Sequence, residues 1–270
     1  MCQTLQVSRS GFYRWKTCRP SRRQTRTQYL DRNIQDVYQA HQGRVGSPKV
    51  AAELQAHGIA CSRPLVARRM RQMGLQARTR RRYRVTTHSH HRYPVSANLL
   101  QRAFTQSRPN QVWVSDITYI GTREGWLYLS VFLDLYSRRV VGWSCSSSLG
   151  HEMVVQALQR AIGRRQPARG LLIHSDRGVQ YACTGFRAEL QKHGCVQSMS
   201  RKGDCWDNAV AESFFKTLKT ELVYLRTFKT RAQAQREILE YIEGYYNRRR
   251  RHATLNYQTP VAFEHKQKAA

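Results

Sequence analysis

The sequence predicts a mixed α/β sheet flanked by helices, preceded by an all-helical region. Two observations predict it. From residue 111, three β-rich runs follow one another across short turn signals, and then helical and strand-like runs alternate. Before that point the apolar residues recur at helical spacing, punctuated by Pro and Gly. Charge divides the chain at nearly the same place. Residues 1–100 carry 20 basic and 3 acidic side chains, or +17; residues 101–270 carry 26 and 14, or +12.

The total, +29 over 270 residues, needs an anionic partner. Double-stranded DNA leads, because Lys and Arg displace counterions from phosphates. No membrane partner is expected: no run approaches the ~20 apolar residues of a spanning helix. The opening "MCQTLQVSRS" is not a signal peptide. Seven scattered cysteines without a CxxC pair fit a reduced, cytoplasmic protein rather than a disulfide or zinc scaffold.

In order, residues 1–16 read as the end of a small helical unit, with Val7 and the Phe12, Tyr13, Trp15 cluster as its apolar side. Residues 17–28 read as a basic linker or helix start. A helix follows over 28–41 on Leu30, Ile34, Val37 and Tyr38. In "GSPKVAAELQAHGIACSRPLVARRMRQMGL", Ser47 is the expected N-cap of one helix, and a second starts near Ser62. Two short helices across a Gly turn suggest a helix-turn-helix over about 47–74. Its second helix offers Arg63, Arg68, Arg69 and Arg71 to a DNA groove. The plainer reading is a helical hairpin with a solvated basic face. Residues 1–76 form the helical DNA-binding region, and 77–105 a basic linker whose His88, His90 and His91 read as solvated rather than metal-binding.

Residues 106–228 are expected to be the α/β core. Runs 111–120, 126–136 and 139–147 give an antiparallel three-strand meander. A helix (151–163), a strand (170–175), a helix (184–194), a short strand at "VQSMS" and a long helix from Asp207 follow. Residues 229–270 read as a basic C-terminal helix and tail, in which Arg248, Arg249, Arg250 and Arg251 clamp phosphates or form a solvated charge run.

Three carboxylates invite a function: Asp116 inside the first strand, Asp176 ending the fourth, and Glu212 early in a helix. Unpaired buried carboxylates are costly and repel one another, so such a cluster suits a hard divalent cation, Mg²⁺ or Mn²⁺. The alternative is three separate salt bridges to arginines. A turn near Arg123 sets Asp116 roughly opposite Ser130 and leaves Asp134 about 13 Å away, too far to share an ion. Asp134 is therefore assigned to the turn before Arg138. Glu221 lies nine positions past Glu212, on the opposite side of the helix. Lys216 and Lys219 share the Glu212 stripe.

"WVSDITYI", "HSDRGVQY" and "SMSRKGDCWDNAVAESFFKTLKTEL" resemble the DDE transposases of the insertion-sequence-three family, relatives of retroviral integrases with a ribonuclease-H-like core. Asp176 and Glu212 are 36 positions apart, the family's spacing. The tail "YNRRRRHATLNYQTPVAFE" resembles the family's ending, with Tyr246, Asn247, Arg250, His252, Leu255 and Pro260 in place, and "GSPKVAAELQAHGI" resembles its helix-turn-helix. The resemblance implies that Asp116, Asp176 and Glu212 are a catalytic triad holding two metal ions. It also implies that Lys216 and Lys219 contact DNA near the cut end. His174 and Gly178 are expected to shape the turn presenting Asp176.

The resemblance further implies strand cleavage and transfer by a homo-oligomer on DNA, with a protein or fusion from an upstream reading frame as a possible partner. No sustained heptad repeat is present, so the chain reads as a second-frame product or truncated copy that dimerises weakly alone. A DNA-binding regulator or relic without catalysis is the alternative. A ribonuclease H acting on RNA–DNA hybrids shares the core, but the helix-turn-helix fits it poorly.

Overall fold

A computed structural model describes residues 2–77, 93–202 and 204–268. The chain forms two compact units that divide near residue 78.

The first unit is helical: α1 (Arg9–Thr17), α2 (Arg22–Ala40), α3 (Ser47–Ala56) and α4 (Arg63–Gln72). Leu30, Ile34 and Val37 of α2 pack with Val50, Ala51 and Leu54 of α3 and with Val66 and Met70 of α4. Helix α2 begins earlier than its apolar spacing indicates, because Ser21 and Gln24 make a capping box. The Gln24 amide donates to Ser21 Oγ at 3.2 Å and the Ser21 amide to Gln24 Oε1 at 2.8 Å. Ser47 is not the cap expected of it: Gly46 precedes α3, and Ser47 is its first residue, followed by Pro48. Ser62 does cap α4, accepting from the Leu65 amide.

The second unit is built on a five-stranded sheet, ordered β3-β2-β1-β4-β5. Strands β1 (Val112–Thr122), β2 (Gly125–Asp134) and β3 (Val140–Ser146) form the expected meander. The β1–β2 turn has only Arg123 and Glu124 between the paired Thr122 and Gly125, and Gly125 takes φ +104°, where a side chain is strained. Helix α5 (His151–Arg165) crosses to β4 (Leu172–Ser175), which runs parallel to β1. The short helix α6 (Val179–Ala182) and α7 (Thr184–Lys192) lead to β5 (Val196–Met199), parallel to β4. A 3₁₀ turn over Cys205–Asn208 enters α8 (Ala209–Glu221).

Strand alternation sorts the two faces. Trp113, Phe132 and Val141 pack with α5 and α7; Val112, Val114, Val131 and Leu133 pack with α8. Helix α5 lies so close to β3 that a Cβ on Gly142 would collide with the Ala157 carbonyl and Ala161. The meander-plus-parallel arrangement is the ribonuclease-H-like fold.

Two expected boundaries move. Residues 93–105 do not behave as a linker. Leu100 is buried in the core, and the Leu99 amide donates to Ser198 Oγ at 2.9 Å. His88, His90 and His91 lie outside the described residues. The C-terminal segment is also part of the core. Helix α9 (Arg231–Leu239) continues as a π-helix through Glu240–Tyr246, which buries Tyr241, Ile242, Tyr245 and Tyr246 against the α8 side of the sheet. Asn247 then pairs with edge strand β3: its Nδ2 donates to the Val140 carbonyl, and its Oδ1 accepts from the Val140 amide, each at 3.0 Å. Helix α10 (Pro260–Lys268) brings Glu264 to Arg139 and Arg165, both at 2.8 Å.

No described helix is long and apolar enough to cross a membrane. Cysteines 2, 18, 61, 145, 183 and 195 are free.

Candidate active site

The register of β1 and β4 places the first two carboxylates together. Val112, Trp113 and Val114 pair with Leu172, Ile173 and His174, an offset of 60 residues throughout. Extended by two residues, that offset sets Asp116 level with Asp176, on strands about 4.8 Å apart. Asp116 shares the face of Val112 and Val114, the face that α8 covers. Across the hairpin it pairs with Val131 rather than Ser130, one residue from the expected register.

Glu212 sits in the first turn of α8 and is exposed. Ala211, Phe214, Phe215 and Leu218 bury the adjoining face and so orient the helix. The entry to α8 is pinned at both ends. Asn208 Nδ2 donates to the Ser115 carbonyl, next to Asp116, at 3.1 Å. Asp207 is buried and accepts from Asn98 Nδ2 at 2.8 Å, Arg102 Nε at 3.0 Å and the Arg201 amide at 2.9 Å. The hydrogen-bonded Arg201 guanidinium holds the Asp207 carboxyl well below the usual carboxylate range.

The three carboxylates sense one another. Burial raises the Asp116 carboxyl well above its ordinary value, and the charges of Asp176 and then Glu212 add to the rise. The Ile117 amide, donating to Asp116 Oδ1 at 2.8 Å, and Lys219 oppose it. Partial desolvation on its helix also raises Glu212, again with Asp176 adding. Asp176 Oδ1 accepts the Gly178 amide at 2.9 Å, so Gly178 does shape this turn. His174 is fully buried between Ser198 and Ser200, and burial lowers its imidazole to about 4.

Among the described residues, no three His, Cys, Asp or Glu side chains converge as a preformed metal cluster. The chemistry of the donors nonetheless fits a hard divalent ion. All are oxygens, two belong to carboxylates raised by burial and mutual repulsion, and a dipositive charge would relieve both penalties.

The other residues expected at the site divide. Lys219 is half-buried and interacts with Asp116, while Lys216 is exposed on α8. Asp134 belongs to the turn, as expected, accepting from the Asn110 and Tyr136 amides at 2.7 and 2.8 Å. Glu221 points away from the site into a buried ion pair with Arg250 at 2.8 Å, and Tyr241 also donates to it. Arg250 is therefore not a phosphate clamp. Arg251 is half-buried and donates to the Tyr257 carbonyl at 3.0 Å; Arg248 and Arg249 are exposed. On α4, Arg63, Arg68 and Arg71 are exposed, but Arg69 is turned inward to both carboxylate oxygens of Asp31.

Sequence reasoning missed Tyr119 and Tyr181. Burial raises both hydroxyls, with the charges of Tyr128, Asp176 and Asp116 adding at Tyr119 and those of Asp116 and Asp176 adding at Tyr181. Tyr181 hydrogen-bonds Ser115 at 2.9 Å. The signal for Tyr181 was its place five residues after Asp176 in "HSDRGVQY".

Comparison with known proteins agrees with this architecture. Residues 106–205 match the integrase core domain family, residues 193–260 match a second family of the same description, and residues 25–83 match an HTH-like domain. The transposase InsF for insertion sequence IS3A of Escherichia coli (strain K12) is 41% identical over 98% of this chain and 93% of its own length. The insertion element IS600 uncharacterized 31 kDa protein of Shigella sonnei is 40% identical over 98% of each chain. Among solved structures, the HTLV-2 integrase catalytic core domain in complex with magnesium is 18% identical, covering 59% of this chain and 99% of that one with a TM-score of 0.45.

Proposed function

The chain belongs to the insertion-sequence-three (IS3) family of transposases, and we propose that Asp116, Asp176 and Glu212 are the catalytic residues of this DDE-type enzyme. The observation that carries the assignment is the β1–β4 register, which sets half-buried Asp116 level with Asp176. The family establishes DNA transposition as the activity. Strand cleavage and strand transfer at the ends of the element are the steps we assign to this site.

Mg²⁺ or Mn²⁺, two ions held by Asp116, Asp176 and Glu212, would supply Lewis-acid stabilisation of the attacking and leaving oxygens of an in-line phosphoryl transfer. The protein contributes position and charge. Strands β1 and β4 fix two carboxylates on neighbouring backbones, and α8 brings the third. Lys219 places a cation beside Asp116, where it can meet a DNA phosphate. Exposed Lys216 extends that cationic stripe one turn from Glu212. No serine or cysteine nucleophile is needed, because such transfers rest on positioning and electrostatics.

Exposed Arg63, Arg68 and Arg71 of the HTH-like domain would engage double-stranded DNA, and Arg248 and Arg249 would add phosphate contacts. The enzyme would act on DNA as a homo-oligomer, with an upstream-frame protein or fusion as a further partner.

The test is substitution. Asp176→Asn and Glu212→Gln are expected to abolish cleavage at element ends while keeping DNA affinity. Cutting by either variant at the wild-type rate would remove the assignment.

A further inference from the structure

We propose that Trp206 is a stacking platform for a nucleobase of the DNA strand near the scissile phosphate; the proposal rests on the transposase reading above. Its indole is 68% exposed, on the 3₁₀ turn that enters α8. An exposed tryptophan is usual on a loose loop, but this turn is firmly held. Asp204 Oδ1 accepts the Trp206 amide at 3.2 Å, and the Asp204 carboxylate is ion-paired with Arg102 and Arg201. The next residue, Asp207, is buried and gripped by Asn98, Arg102 and Arg201. The one after it, Asn208, is bonded to β1. The fold thus presents a large flat ring to solvent from a fixed base.

Charge and place choose the occupant. Lys202 and Lys216 are exposed on the segments before and after the ring. An exposed aromatic face with lysines on the flanking segments matches a single nucleic-acid strand, whose bases stack while its phosphates are neutralised. An acid-poor protein surface would match less well, because it would leave those cations unpaired. Trp206 precedes Glu212 by six residues, roughly 10 Å along a 3₁₀ turn and the first turn of an α-helix. At about 3.4 Å per nucleotide, the stacked base lies within about three positions of the phosphate that Glu212 serves.

The experiment measures binding of the full chain in EDTA to duplexes carrying the element's terminal repeat. One duplex is intact, and each of the others carries a single abasic position, one to four nucleotides from the scissile phosphate. Trp206→Ala is expected to weaken binding to the intact duplex about tenfold, with Trp206→Phe losing less. One abasic position among the first three should weaken the wild type by a similar factor and weaken Trp206→Ala no further. Because the ring is exposed, the melting temperature of Trp206→Ala should match the wild type.

The proposal is overturned if Trp206→Ala binds the intact duplex as the wild type does, or if every abasic duplex weakens both proteins alike. Cleavage by the wild type in Mg²⁺ separates the two readings. Cutting without coupling between Trp206 and a base removes the stacking role alone. Absence of both cutting and preference for the terminal repeat removes the transposase reading, and the stacking role with it.

Discussion

Asn208 donates to the backbone carbonyl of Ser115 at 3.1 Å, so the entry to α8 is tied to β1 one residue before Asp116. Glu212 follows Asn208 by one helical turn. This bond couples the position of the third carboxylate to that of the first.

Asn208→Ala should therefore leave a buried carbonyl without its donor and cost about 1–3 kcal/mol of stability. Cleavage should fall by more than the unfolded fraction explains, because Glu212 loses its tether. Melting curves and single-turnover cleavage check the two effects separately.

Asp116 carries a second expectation. Its ionised form is penalised by burial, Asp176 and Glu212. Asp116→Asn should keep the bond from the Ile117 amide to the side-chain oxygen and remove the repulsion. In EDTA the variant should melt above the wild type. Millimolar Mg²⁺ should raise the wild-type melting temperature through linkage and leave the variant nearly unchanged. Equal responses to Mg²⁺ would contradict the role of Asp116 as a ligand.

Arg250 and Arg248 should behave oppositely despite standing two residues apart. Arg250→Ala strands a buried Glu221 and should cost about 3–5 kcal/mol. Arg248→Ala should leave the melting temperature unchanged and reduce the salt slope of DNA binding by about 1. On α4 the same contrast holds: Arg69→Ala should destabilise the first unit by freeing Asp31, whereas Arg71→Ala should weaken DNA binding alone.

Acid stability should depend on Asp207. Its folded value is depressed by Arg201, so its contribution is fully present above the ordinary aspartate range, near pH 4, and is lost as pH falls toward the lowered folded value. Asp207→Asn should lower stability at pH 7 and flatten the loss between about pH 4 and pH 2. Denaturant titrations across that range measure it.

The legible parts of the sequence were those where periodicity and burial agree. β1 shows as a run of Val, Trp, Ile and Tyr, and an aspartate inside it stands out because nothing else there is charged. The Glu212 stripe followed from 100° geometry, which also sent Glu221 to the far side, where it lies. Within the arginine run, Arg250 misled because charge signals solvent unless an acid distant in sequence is known to wait inside, and Glu221 is 29 residues away. Arg69 and Asp31, 38 residues apart, pose the same difficulty. The 93–105 segment read as linker because its ties to the core are one buried leucine, Leu100, and single polar contacts to Ser198, Gln197 and Asp207, which leave no periodic trace. Asn247 hid its role too, since a side chain pairing with an edge strand has no sequence signature.

The central claim is that three carboxylates, one each from β1, the end of β4 and α8, make one metal-dependent cutting site. The most direct measurement is strand cleavage of supercoiled DNA carrying the element's ends, in Mg²⁺ and in EDTA, by the wild type and by Glu212→Gln. The predicted result is cutting by the wild type in Mg²⁺ only, and none by the variant at undiminished DNA affinity. Cutting by the wild type in EDTA, or by Glu212→Gln in Mg²⁺ at the wild-type rate, would contradict it.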